Sequence, residues 1–141
     1  MSNMNNDQIK KKLLIVEDDD ENQKFLQYFL GKYFRVEICD SAEVCYQLLD
    51  KEIADLILMD ISIKGSKNGL VLTKELKNSM SYSKIPIVCF TAHAYNDDRI
   101  NALEAGCDIF ISKPTDYYIL LNILNKLLGL SENDSSSFFQ T

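Results

Sequence analysis

The sequence predicts an α/β domain whose five-stranded parallel sheet is covered by helices on both faces. Short apolar runs alternate with segments of helical spacing along the whole chain. Three of those runs, LLIV, LILM and IPIVCF, are continuously apolar rather than alternating, as a strand buried on both faces requires. The length of 141 residues, 46% hydrophobic and 26% charged, suits one domain with a sizeable core.

Taken in order, the candidate strands are Leu13–Val16, Phe34–Ile38, Leu56–Met59, Ile85–Phe90 and Ile109–Ile111. Between the first two, Phe25, Leu26, Phe29 and Leu30 form a helical stripe that stops near Gly31. Val44, Leu48 and Leu49 form the second stripe, behind Ser41 as N-cap. Leu70, Leu72 and Leu76 suggest the third, and Ile100 and Leu103 the fourth. Leu120, Leu121, Leu124, Leu127 and Leu128 make a long fifth stripe ended by Gly129. No repeat of 20 to 50 residues is visible. The domain is expected over residues 10–130, with residues 1–9 and 131–141 as terminal extensions. The tail SENDSSSFFQT is polar and without period, and Phe138 and Phe139 are its apolar content.

The net charge is −6 and the pI about 4.7. No basic face is clustered, so direct binding to a nucleic-acid backbone is not expected. The one basic run, Lys10-Lys11-Lys12, reads as a solvated flank of the first strand. No stretch approaches the roughly 20 apolar residues of a membrane span. The polar start MSNMNNDQ has no signal-peptide core, so a cytoplasmic location is expected. Cys39, Cys45, Cys89 and Cys107 form no C-x-x-C pair and read as small buried hydrophobes.

Ligands of open α/β sheets bind beyond the carboxyl ends of the strands. The first strand ends in Glu17 and Asp18, the third in Asp60, the fourth in Thr91, and the fifth in Lys113 followed by Pro114. Three carboxylates gathered at one place repel one another. A hard divalent cation relieves that repulsion, and Mg²⁺ takes one or two carboxylates together with water and phosphate oxygens. With Lys113 and the Thr91 hydroxyl the group suits a small phosphoryl ligand, and a carboxylate aimed into it can serve as the nucleophile.

In this arrangement LLIVEDD, DLILMD, IPIVCFTAHA and AGCDIFISKP, in that order, resemble the response-regulator receiver domain of two-component phosphorelays, from about Lys12 to Leu128. The resemblance implies the flavodoxin-like, doubly wound strand order 2-1-3-4-5. It implies that Asp60 is the phosphoacceptor, that Asp18 and Glu17 hold Mg²⁺ directly and through water, and that Ser62 offers the metal its backbone carbonyl. Thr91 then matches the switch hydroxyl, Ala92 the small residue beside the phosphate, Lys113 the phosphate-binding lysine with a cis bond to Pro114, and Phe110 the rotating aromatic. The implied partners are a histidine kinase or histidine phosphotransfer protein and a downstream protein, with a phosphorylation-dependent dimer through the fourth helix, fifth strand and fifth helix. No output domain is expected after Leu128, and the only catalysis implied is of the domain's own phosphorylation and dephosphorylation. Ser62 and His93 would flank the attacking water in the latter reaction.

Two features depart from the family. The segment DISIKGSKNGL lacks the usual proline and has one extra residue before Gly69, and Asp19, Asp20 and Glu21 extend the acidic pair. Asp20 and Glu21 suit a helix start, where carboxylates meet the positive end of the helix dipole. Glu17 and Asp18, which end a strand, are not explained that way. Two other classes fit less well. An aspartate-nucleophile phosphohydrolase is suggested by Asp18-Asp19-Asp20, but Asn22 stands where that family wants Thr or Val. A degenerate receiver would lack the acceptor or the lysine, and both are present.

Overall fold

The computed structural model describes residues 10–92 and 96–130. The chain runs β1 (Lys12–Val16), α1 (Asp20–Leu30), β2 (Arg35–Cys39), α2 (Ala42–Lys51), β3 (Leu56–Met59), α3 (Gly69–Lys77), β4 (Ile87–Thr91), α4 (Asn96–Ala105), β5 (Ile109–Ser112) and α5 (Tyr117–Leu127). The five strands form one sheet in the order β2-β1-β3-β4-β5, every pair parallel. The expected extensions at residues 1–9 and 131–141, and His93, lie outside the described residues.

Alternation along each strand sends side chains to opposite faces and builds two cores. Leu14, Val16, Ile57, Met59, Ile87 and Cys89 meet Cys45, Leu49, Leu72, Leu76 and Ala102 of α2, α3 and α4. Leu13, Ile15, Leu56, Leu58, Val88 and Phe90 meet Leu26 and Leu30 of α1 and Leu120, Leu121 and Leu124 of α5. Burial of each such aliphatic side chain stabilises the fold by about 2 kcal/mol before chain entropy is counted. All four cysteines are free and buried.

Polar caps set where the helices start. The Asp19, Ser41, Asn68 and Asp116 side chains accept from the N–H groups of Asn22, Val44, Val71 and Tyr118. Asp19 thus caps α1, and Asp20 and Glu21 fill its first turn.

Several expectations are corrected. Lys12 is not a solvated flank. It is 6% exposed, and its ammonium pairs with Glu37 at 2.7 Å and Glu52 at 2.9 Å. Helix α4 does not bury Ile100 and Leu103, which are exposed; Ala102 faces the core instead. Phe25 is 43% exposed and leans on the Tyr117 ring, 4.6 Å between centroids, rather than entering the core. In α2 the buried positions are Ala42, Cys45 and Leu49. β4 starts at Ile87, past Ile85 and Pro86, since proline has no N–H to give the ladder.

Candidate functional site

The register brings Val16, Met59 and Cys89 side by side, so β1, β3 and β4 end near one line. The residues that follow continue the ladder: Asp60 N–H donates to the Val16 carbonyl and Glu17 N–H to that of Cys39, each at 2.9 Å. On the far side Lys113 N–H donates to the Thr91 carbonyl at 2.8 Å. These bonds hold Glu17, Asp60, Thr91 and Lys113 at one edge of the sheet.

Their side chains meet. The Asp60 carboxylate is 8% exposed, and its Oδ1 accepts from the Thr91 hydroxyl at 2.9 Å and from the Ser62 N–H at 3.1 Å. Its Oδ2 lies 3.2 Å from Lys113 Nζ, which also donates to Glu17 Oε1 at 2.7 Å. Glu17 is 2% exposed, and its Oε2 accepts from the Asp19 N–H at 3.1 Å. Burial pushes the Glu17 carboxyl above its ordinary range, and the Asp60 charge adds to the rise, against the opposing pull of Lys113. Burial alone would lower the Lys113 ammonium; the hydrogen bond to Glu17 and the charge of Asp60 outweigh it, and its pKa is raised.

Asp18 is half-buried beside Glu17, and Ala92 is exposed beside Thr91. The Lys113–Pro114 bond is cis. Phe110 stands apart from the carboxylates. It pairs with Cys89 in the sheet and packs in the core under α2, α3 and α4, with the Arg99 guanidinium 6.0 Å from its ring centroid.

Two contributors escaped the sequence reading. The Gln23 amide, one turn into α1, donates to the Glu17 carbonyl. Gly69 lies so close behind Asp60 that a Cβ would come within 2.0 Å of the Asp60 carbonyl oxygen. A glycine directly after the Asn68 cap was the available signal for the second; the first had none.

Among the described residues no three His, Cys, Asp or Glu side chains are arranged as a ready metal cage. Mg²⁺ does not need one, since it keeps several waters and takes few carboxylates. Lys113 already bridges Glu17 and Asp60, so the two carboxylates lie within reach of one cation. With Asp18 alongside, the donor set is all oxygen and fits a hard divalent ion.

Residues 13–125 match the family described as the response regulator receiver domain. The sequence is 34% identical over 113 residues to hybrid signal transduction histidine kinase M of Dictyostelium discoideum, covering 76% of this chain and 5% of that protein. It is 36% identical over 103 residues to the probable transcriptional regulator ycf29 of Pyropia yezoensis, covering 73% of this chain and 46% of the relative. The chain therefore spans less than half the length of either. Among solved structures, a putative response regulator from Chloroflexus aurantiacus superposes with a TM-score of 0.79 at 27% identity, covering 85% of this chain and 98% of that one. The receiver domain of a sensor histidine kinase from Pseudomonas aeruginosa, with a magnesium ion coordinated in its active-site cleft, superposes with a TM-score of 0.77 at 28% identity, covering 85% and 98%. With the same strand order, and with the matched region running from β1 into α5, this chain belongs to the response-regulator receiver domain family.

Proposed function

We propose that the domain is a phospho-accepting switch in which Asp60 takes a phosphoryl group from a phosphohistidine on a histidine kinase or histidine phosphotransfer protein. The observation that supports this most is the Asp60 carboxylate held between the Thr91 hydroxyl, the Ser62 N–H and the Lys113 ammonium at the mouth of the sheet. An Asp60 oxygen attacks phosphorus, a new P–O bond forms, the P–N bond to the partner's imidazole breaks, and the departing nitrogen takes up a proton. Lys113 offsets charge on the transferred oxygens, and the fixed Ser62 N–H and Thr91 hydroxyl orient the nucleophile. Glu17, Asp18, Asp60 and the Ser62 carbonyl would hold Mg²⁺, which when bound offsets the carboxylate and phosphoryl charge. The domain has no further substrate; it promotes its own phosphorylation and the hydrolysis that ends it.

Incubation with Mg²⁺ and acetyl phosphate should add one phosphoryl group, read by intact mass, and Asp60→Asn should abolish it. Equal labelling of the variant would refute the assignment.

Thr91 already faces Asp60 without a phosphoryl group, so phosphorylation changes its partner from carboxylate to phosphoryl oxygen. The shift in position reaches Phe110 on the neighbouring strand and biases the face of α4, β5 and α5, through which a downstream protein or a second copy reads the signal. Thr91→Ala should leave labelling near the parent level while shrinking the beryllofluoride-induced amide NMR shifts across α4, β5 and α5. Undiminished shifts would remove Thr91 as the coupling residue. No described helix is long and apolar enough to cross a membrane.

A further inference from the structure

Residues 61–68 join the acceptor strand to α3 and contain no proline, so no ring restricts the backbone beside Asp60. Gly65, at φ 96°, adds freedom in the middle. The segment is nevertheless tied down along its length. At its start the Ser62 N–H donates to Asp60. In the middle the Lys64 N–H donates to the Asp40 carbonyl at 3.0 Å, Lys64 forms a parallel bridge with Ser41, and its ammonium lies 3.4 Å from the Asp40 carboxylate. At its end Lys67 Nζ lies 2.9 Å from both carboxylate oxygens of Glu75 in α3. Tyr46, from α2, donates its hydroxyl to Glu75 Oε1 at 2.7 Å, and its ring lies beneath the Lys67 ammonium at 5.9 Å. The chain then turns back on itself: the Gly69 N–H donates to the Ile61 carbonyl at 2.7 Å, against the backbone of the acceptor.

The backbone at Asp60 and Ser62 is thus fixed by where α3 begins, and the residue just before the α3 cap is gripped by α3 and, through Glu75, by α2. We infer that Lys67, acting through Glu75 and Tyr46, is a positioning residue that holds the Ser62 backbone for divalent-cation binding at the acceptor site. This rests on the proposed function and gives that site a brace in place of a proline. Lys67 and Glu75 are part-exposed, and such a pair adds little to global stability. Its effect falls on placement.

The test uses the full chain, at a temperature where every variant is folded. Backbone-amide NMR titration with Mg²⁺ gives the dissociation constant, amide exchange without metal reports on the loop, and melting reports on the fold. Lys67→Ala should weaken Mg²⁺ binding by about tenfold, the low end for loss of an outer-shell partner. It should also speed exchange at Ser62 and Gly69 and barely move the melting temperature. Lys67→Arg should restore both readouts, and Tyr46→Phe should fall between. A parent-like Mg²⁺ affinity in Lys67→Ala, in a protein whose parent binds Mg²⁺ and labels at Asp60, overturns the brace and leaves the proposed function standing. Affinity losses that merely follow melting temperature across the variants also overturn it. A parent that binds no Mg²⁺ overturns both.

Discussion

The two ends of β1 each carry a buried charge, and they are treated in opposite ways. At the start, Lys12 meets Glu37 and Glu52, and Arg35 shares Glu52 at 2.8 Å. The Lys12 N–H is capped by the Asp55 carboxylate at 2.8 Å. Two cations, Lys12 and Arg35, answer three acids there, and Glu52 is held down to about 2 by its hydrogen bonds from Arg35 and Lys12. At the other end Glu17 and Asp60 share the single ammonium of Lys113, and Asp18 adds a third carboxylate. One end is nearly balanced and reaches the surface, a structural clasp. The other is left short of positive charge and open at its mouth. Buried ion pairs alone do not mark a site; an imbalance that something from outside must correct does.

Removing each lysine separates the two roles. Lys113→Met leaves two buried carboxylates facing each other, and should cost about 3 kcal/mol of stability in urea without metal. Excess Mg²⁺ should recover much of that, while acetyl phosphate labelling stays low. Lys12→Met should cost about 2 kcal/mol, less because its partner acids are part-exposed. Mg²⁺ should recover none of it, and labelling should stay at the parent level. The same Mg²⁺ recovery in both variants would erase the distinction between the ends.

A subtler measure is the metal response of the parent. Mg²⁺ at a few multiples of its Kd should stabilise the fold by about 1 kcal/mol. Asp18→Ala should abolish that gain and leave the metal-free protein no less stable, since a repelling charge is gone. A gain that survives the substitution would take Asp18 out of the ligand set.

Acid should act on the two ends with opposite sign. The folded-state pKa of Glu17 is raised, so its carboxylate costs stability at neutral pH, and that cost is relieved as pH falls through the raised value. Glu52 is lowered from 4.5 to about 2, so its contribution is complete above its unfolded value and is lost as pH falls toward about 2. In chelator, stability should rise modestly as pH falls from neutral through the raised Glu17 value and drop in stronger acid. Glu17→Gln should remove the rise alone, and Glu52→Gln should soften the drop. A rise that persists in Glu17→Gln would move its origin elsewhere.

The fold was legible because β1, β3 and β4 are apolar on both faces and the α1 and α5 stripes are long. Helix α4 was not, because its buried face is one small residue, Ala102, while Ile100 and Leu103 look outward, and periodicity cannot tell an apolar core face from an apolar surface. Lys12 was misread for a related reason: its partners stand 25 and 40 residues away, on β2 and past α2, and no local pattern signals them. At the site, side chains that end strands were legible because topology alone gathers them. The Lys67–Glu75–Tyr46 brace joins a loop to two helices and was visible only once those helices were placed.

The bond from Lys113 to Glu17 closes 96 residues of chain. A polypeptide leaving the ribosome exposes Glu17, Asp18 and Asp60 long before β5 exists to carry the lysine. Until the fifth strand docks beside β4, Glu17 and Asp60 lack the Lys113 counter-charge, so on the proposed function a growing chain is silent to phosphodonors. On that reading, competence waits for β5, the last strand in the chain, to pair with β4.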